Sequence, residues 1–199
     1  MWAVCIDLES ILIPEIWQKL AKELKIEELK LTTREIPDFK LLMERRLNIL
    51  LKNNIKIQDL QKIVRKIKPL KGALSFLNWL RKNFPTIIVS DTFFEFWKAV
   101  GEKLNWPVVF CNNFDVDEKG FIRGYKIRKE NGKLETVKAL KFLGYKVVAI
   151  GDSYNDLAML KTADLGILFK APRELRDKFP QFKFAKDYKE LKSILENIL

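Results

Sequence analysis

The sequence predicts an α/β protein, a parallel sheet covered by helices on both faces with a helical insertion near its start. Three observations predict it. Short continuous apolar runs recur along the chain, the stretches between them have helical periodicity, and residues 13 to 69 break this alternation. Each apolar run also ends in polar or acidic residues, which places those residues at the carboxyl edge where open α/β sheets hold their ligands.

The first strand is Ala3 to Ile6, ended by Asp7. From about Pro14 to Lys68 there is no convincing strand, only amphipathic helical stretches, with Thr32, Thr33 and Pro37 marking a turn between them and Pro69 the return to the sheet. Residues 13–69 are therefore expected to form a helical cap, and residues 1–12 with 70–199 the α/β core. Ala73, Leu74, Leu77 and Leu80 share one helix face. Strands follow at Thr86 to Val89 before Ser90 and Asp91, at Val108 to Cys111 before Asn112, at Val147 to Ile150 before Gly151 and Asp152, and at Gly166 to Phe169. Phe114 and Val116 are separated from Phe121, Ile122 and Tyr125 by Asp117, Glu118, Lys119 and Gly120, which predicts a β-hairpin within residues 112–128. Val137 and Leu140, and the segment from Tyr188 to Leu199, read as helices.

Composition narrows the chemistry. The 199 residues include no histidine and two cysteines, so a Ser/His/Asp or Cys/His triad and a four-ligand structural zinc site are both excluded. Acid–base work falls to carboxylates, lysines or water. Cys5 and Cys111 each lie in an apolar run and read as small buried residues of a reducing compartment. With 48% hydrophobic residues the chain has enough apolar surface for a sizeable core. The opening apolar run is halted by Asp7, far short of a membrane span, so a soluble cytoplasmic protein is expected. The net charge of +11 comes from scattered rather than clustered lysines, which favours a solvated surface over a nucleic-acid interface.

The polar residues that follow the strands form an ordered set: Asp7 and Glu9, then Ser90 and Asp91, then Lys133 near a helix start, then Gly151, Asp152, Asn155 and Asp156. Taken singly, each has a plain structural reading as a strand end, a helix cap, a turn or a solvated lysine. Taken together they resemble the haloacid dehalogenase superfamily of aspartate-based phosphotransferases. The helical insertion and the segment VVAIGDSYNDLAML are similar to phosphoserine phosphatases. The stretches MWAVCIDLESILIPEIW, TTREIPDFKLLMERRLNIL, IIVSDTFFEF and GILFKAPRELRDKFPQF resemble the ThrH-type subgroup, also known as phosphoserine:homoserine phosphotransferases, over essentially the whole chain.

The resemblance implies a Rossmann-like core and a Mg²⁺-dependent phosphatase in which Asp7 attacks phosphorus and becomes an aspartyl phosphate. It implies Glu9 as the acid and base, Ser90 and Lys133 on the phosphoryl oxygens, and Mg²⁺ held by Asp7, Asp152 and the Glu9 backbone carbonyl with Asp156 behind them. The chemistry explains why such a set is needed, since a carboxylate approaching a phosphate monoester meets like-charge repulsion that a hard divalent cation offsets. Most relatives have a second Asp where Glu9 stands, and the extra methylene moves its carboxyl, a feature expected to bear on whether water or an alcohol reaches the acyl phosphate. Ser10 departs from the Gly usual at that position, which touches only the local loop geometry. Ile11 replaces the hydroxyl residue common there and agrees with the subgroup.

Phosphoserine carries an ammonium and a carboxylate, and by resemblance Glu15 binds the first and Arg46 the second, with Asp91 and Asn155 completing the pocket. Trp17, Phe39, Met43 and Leu47 read as cap core or cap seam. The implied partners are phosphoserine and homoserine, with no nucleic acid and no membrane, in a monomer or homodimer serving L-serine biosynthesis. Three other readings stand beside this one: a phosphatase of another small phosphomonoester, a catalytically retired scaffold, and a nucleic-acid module using Trp79, Phe93, Phe94, Phe96 and Trp97.

Overall fold

A computed structural model describes residues 1–33, 35–36 and 38–198. Its centre is β1 (Trp2–Ile6), an apolar strand buried along nearly its whole length. It pairs in parallel with β2 (Thr86–Phe93) on one side and with β5 (Lys146–Gly151) on the other. Outside β2 lie β3 (Val109–Val116) and the antiparallel β4 (Ile122–Lys126), and outside β5 lie β6 (Leu165–Phe169) and β7 (Lys183–Ala185), giving the order β4-β3-β2-β1-β5-β6-β7. Apart from β4 the sheet is parallel, as expected from its continuous apolar runs.

Alternate residues of each central strand face opposite layers. Val4, Ile6, Ile88, Val148 and Ile150 belong to one apolar cluster, whereas Cys5, Val89, Val147 and Ala149 belong to the other. The first layer contains α4 (Ala73–Asn83), α5 (Phe94–Val100) and α9 (Tyr188–Glu196), and the second contains α6 (Gly132–Phe142), α7 (Leu157–Thr162) and α8 (Arg173–Lys178). Both cysteines are buried and unpaired.

Between β1 and α4 the described residues form α1 (Ile16–Leu24), a 3₁₀ turn at Glu27–Lys30, α2 (Phe39–Lys52) and α3 (Ile57–Val64), with no strand among them. The Asp38 carboxylate caps α2 by accepting from the amides of Lys40 and Leu41. Thr32 and Thr33 lie in non-helical chain before α2, while the turn expected at Pro37 falls outside the described residues. This helical stretch is fastened at several points to α5, to the β3–β4 turn and to the 3₁₀ turn after α5. Trp17 meets Phe96 edge to face with centroids 5.7 Å apart, and Gln61 Nε2 donates to the Glu95 carbonyl at 2.9 Å. The Ile57 amide donates to the Gly120 carbonyl in the β3–β4 turn, and Lys103 Nζ donates to the carbonyls of Arg65 and Ile67.

Three details differ from the sequence reading. The apolar run Val108 to Cys111 and the first arm of the hairpin are one strand, β3, which pairs with β2 up to Asn112 and with β4 from Asn113 onward. β2 runs through Ser90 and Asp91 to Phe93, with a register shift between Val89 and Phe93, so these residues lie at a bulged strand end and do not cap α5, whose first flanking residue is Phe93. β7 was not anticipated, since three residues at a sheet edge carry too little pattern to be read. The aromatics considered for nucleic-acid stacking are largely core. Phe93, Phe96 and Trp97 are buried and Trp79 packs on the core beside Phe76 and Phe84, leaving Phe94 exposed. Among the described residues no helix is long and apolar enough to cross a membrane.

The two chain segments that leave and re-enter the sheet meet at α9. The Leu70 amide donates to the Leu12 carbonyl at 2.9 Å, and the Tyr188 hydroxyl donates to the Ile11 carbonyl at 2.5 Å. The Tyr188 ring stacks on Phe169 and Phe76. It also lies so near Gly72, where φ is +86°, that a Cβ there would approach a ring carbon to 3.2 Å. Tyr188→Phe keeps the stacking and removes the one hydrogen bond, so it is expected to cost about 1 kcal/mol, read as a fall of roughly 2–4 °C in the thermal midpoint. An unchanged midpoint would show that this bond adds nothing to the native state.

Candidate active site

Because β1, β2 and β5 are neighbours and parallel, their carboxyl ends bring Asp7, Ser90 and Asp152 to one place. The Asp7 amide donates to the Ile150 carbonyl at 3.0 Å, which continues the β1–β5 pairing up to the acid itself. A cavity of about 130 Å³ opens there, and its wall includes Asp7, Glu9, Ser90, Asp91, Lys133, Asp152 and Asn155 from the sheet side and Glu15 and Arg46 from the helical stretch. Nine of the ten residues singled out in the sequence thus line one cavity. The tenth, Asp156, lies behind the wall and is fully buried.

Lys133, the second residue of α6, points into this cluster with 6% of its surface exposed. Its Nζ lies 2.7 Å from Asp156 Oδ1, 3.1 Å from Asp7 Oδ1 and 3.5 Å from Asp91 Oδ2. Burial alone would lower its pKa, but the three carboxylates outweigh this and hold it well above the ordinary lysine range. Asp7 is raised well above the ordinary carboxyl range, first by burial and then by Asp156, Asp152 and Asp91, against the pull of Lys133.

Asp156 organises the loop after β5. Its Oδ2 accepts from the amides of Asp152 and Ser153 at 3.0 and 3.2 Å, while Oδ1 holds Lys133. A Cβ on Gly151 would come within 2.4 Å of the Asp156 side chain, so the glycine is what lets that carboxylate approach the backbone. Asn155 Nδ2 donates to Asp91 Oδ2 at 3.0 Å and ties this loop to the end of β2. One carboxylate oxygen each from Asp7, Asp152 and Asp156 lie within 4.8 Å of one another. This cluster of hard oxygen donors, more acidic than Lys133 alone can balance, is of the type that suits a small divalent cation.

The other half of the cavity rests on α1 and α2. Glu9 accepts from the Ile16 amide at 2.8 Å, and Glu15 accepts from the Ser10 hydroxyl at 2.7 Å. Burial, and after it the neighbouring Glu15 carboxylate, pushes the Glu9 carboxyl from its ordinary 4.5 up to about 8, with the Ile16 amide and Thr92 hydroxyl drawing it down. Arg46 is buried, with Nη2 donating to the Leu31 carbonyl at 2.7 Å and its guanidinium carbon 4.3 Å from the centre of the Trp17 ring. Burial lowers its pKa to about 10, against Glu9 and Glu15, so it keeps its charge at neutral pH. Trp17, Phe39 and Met43, expected as packing residues, pack and also line the cavity, whereas Leu47 only packs.

Two residues were missed by the sequence reading. Thr92 lines the cavity two positions after Ser90, a spacing that signals the same strand face but that the bulge obscures. Asn112 accepts from the Arg128 amide and donates to the Asp91 carbonyl, joining the approach to Lys133 to the end of β2, and has no signal beyond being a polar residue inside a strand.

Residues 8–164 match the family described as haloacid dehalogenase-like hydrolase, and the chain belongs to these hydrolases. It is 43% identical over 192 residues to the phosphoserine phosphatase ThrH of Pseudomonas aeruginosa, covering 96% of this chain and 94% of that one. A crystal structure of phosphoserine phosphatase in apo form superposes with a TM-score of 0.77 at 26% identity, covering 96% and 97% of the two chains. A phospho-aspartyl intermediate analogue of phosphoserine phosphatase gives 0.75 at 25% identity, covering the same shares.

The raised carboxyls have a consequence for stability. An unfolded Glu9 loses its proton near 4.5 and the folded one near 8, so between these values the folded protein holds more protons and its stability falls as pH rises. Asp7 acts in the same direction. Urea unfolding of metal-free protein is expected to show this decline, and Glu9→Gln to flatten it. Identical slopes for the two proteins would contradict the assignment of the decline to Glu9.

Proposed function

We propose that this hydrolase is a Mg²⁺-dependent phosphoserine phosphatase that works through an aspartyl phosphate on Asp7 and also passes the phosphoryl group to homoserine. One observation carries the reading: a cavity of about 130 Å³ has Asp7, Ser90 and Lys133 on one side and the opposite charges of Glu15 and Arg46 on the other. A phosphate monoester fits the first side and a zwitterionic amino acid the second. The name of the Pseudomonas aeruginosa relative and the intermediate analogue support the same substrate and nucleophile.

In this reading an Asp7 oxygen attacks phosphorus, the bond from phosphorus to the serine oxygen breaks, and Glu9 gives that oxygen its proton. Glu9 is suited to this, being still protonated at neutral pH. It then takes a proton from the water or alcohol that cleaves the acyl phosphate. Ser90 and Lys133 hold the phosphoryl oxygens. Asp7, Asp152 and the Glu9 carbonyl would hold Mg²⁺, with Asp156 fixing Asp152 and Lys133 from behind, and the bound ion supplies the charge neutralisation that this displacement requires. Arg46 takes the substrate carboxylate, Glu15 its ammonium, and Asp91 and Asn155 the polar edge between the two halves. We read residues 13–69 as a cap over a core of residues 1–12 and 70–199, whose closure excludes bulk water and favours transfer to a bound alcohol. We read the release of serine as a step of L-serine biosynthesis in the cytoplasm.

Phosphate release from L-phosphoserine is expected to require Mg²⁺, to stop with a chelator and to fall at least about a thousandfold in Asp7→Asn, with sugar and nucleotide monophosphates turned over far more slowly. Turnover of another monoester but not of phosphoserine would keep the nucleophile and discard the roles of Glu15 and Arg46. With homoserine present, phosphohomoserine is expected alongside inorganic phosphate. Glu9→Asp is expected to change the ratio of the two products, and an unchanged ratio would separate acceptor choice from the length of this side chain.

A further inference from the structure

Among the described residues, three buried side-chain nitrogen or oxygen atoms have no hydrogen-bond partner: Arg46 Nε, Thr92 Oγ1 and Arg176 Nε. The first two belong to residues lining the same cavity, and both residues are about 95% buried, at 6% and 5% exposed. A buried polar atom without a partner costs free energy, and two such donors on one small cavity indicate a ligand that satisfies both.

The guanidinium of Arg46 is already held on its other edges. Nη2 donates to the Leu31 carbonyl, Nη1 lies 3.8 Å from Met43 Sδ, and the Trp17 ring covers one face, which leaves the Nε–H unclaimed. The Thr92 hydroxyl comes from a different element, the end of β2, and lies near enough to Glu9 to draw its carboxyl down, yet completes no hydrogen bond to a protein group. Its position is fixed by the strand, because the Thr92 amide donates to Ser90 Oγ at 3.2 Å.

We propose that Thr92 is a substrate-binding residue whose hydroxyl donates to the carboxylate of the amino-acid substrate, completing with Arg46 a two-sided clamp on that group. This rests on the reading of the site as an amino-acid phosphatase and adds to it a residue that selects for the carboxylate. A carboxylate has two oxygens and accepts from both donors at once, whereas an ammonium could engage only the hydroxyl, as an acceptor, and an alkyl group neither. The residue sits two positions from Ser90 on one strand, so the same bulge that sets the phosphoryl site sets the distance from phosphate to carboxylate.

The test compares Thr92→Val, which keeps the shape and removes the hydroxyl, with Thr92→Ser, which restores it. Each protein is measured for phosphoserine KM and kcat and for the inhibition constant of O-phosphoethanolamine, the same molecule without the carboxylate. Thr92→Val is expected to raise the phosphoserine KM about tenfold, to change kcat less, and to raise the phosphoethanolamine constant by a clearly smaller factor. Thr92→Ser is expected to return KM to within about threefold of the wild type. Equal losses for both ligands, a loss confined to kcat, or no rescue by serine would overturn the proposal. Failure of the wild type to turn over phosphoserine at all would instead overturn the substrate reading on which it stands. Thermal midpoints for the three proteins separate these outcomes from loss of fold.

Discussion

Lys133 carries its ammonium into a place where only 6% of the residue meets solvent, and it rests within 3.1 Å of Asp7 and 2.7 Å of Asp156. A charge so buried persists only if it is paired on several sides, and each partner is supplied by a different part of the sheet. Asp7 follows the central strand, Asp91 lies in the bulged end of β2, Asp156 follows β5, and the lysine itself stands in the first turn of α6. Much of the surrounding local structure serves to keep that contact. Gly151 lets Asp156 reach the backbone, Asn155 ties Asp91 to the β5 loop, and Asn112 ties the approach to α6 to β2. The excess of carboxylates over the single ammonium is the same fact seen as chemistry, since a cluster of hard oxygen donors is what the proposed divalent cation would require.

The central sheet was legible because a parallel strand buried on both faces must be apolar at every position, so its end is marked by the first polar residue. Asp7 and Asp152 were found in that way. Lys133 was not visible alone, and its burial depends on three acids that are up to 126 positions away in the chain. The rule that a strand ends where the apolar run ends failed at β2, where Ser90 and Asp91 remain within the strand through a bulge, and it failed again at β3, where Asn112 is a polar residue kept inside by its two hydrogen bonds. A strand of three residues at the sheet edge, β7, has one neighbour and little burial to impose a pattern.

Pairing is also what the sequence reading could not see in the helical stretch. Glu15 and Arg46 are separated by 31 positions and were reached through the resemblance alone, yet one immediately precedes α1 at the cavity and the other is buried against Trp17. Arg45, its neighbour in sequence, is exposed. The difference is the direction of one residue on α2, 100° of rotation, which only the packing of α2 decides.

The two halves of the cavity therefore differ in how they are built. The half around Asp7 and Lys133 stands on strand ends and a helix start that share backbone hydrogen bonds, so its donors and acids are placed before any ligand arrives, as the proposed electrostatic catalysis requires. The half around Glu15 and Arg46 is carried by α1 and α2, which are joined to the core through side-chain contacts and the two segments at Leu12 and Leu70. Change in α1 and α2 can reshape that half without moving Asp7. Arg46 shows how that half is nevertheless kept ready: its guanidinium is fixed by a carbonyl, a thioether and an indole before substrate binds, so little side-chain freedom is left to lose. Glu9 belongs to both halves. It follows Asp7 by two residues, accepts from the first amide of α1 and interacts with both Arg46 and Thr92, so in the proposed mechanism the acid and base is held by the element that faces the substrate's amino-acid end.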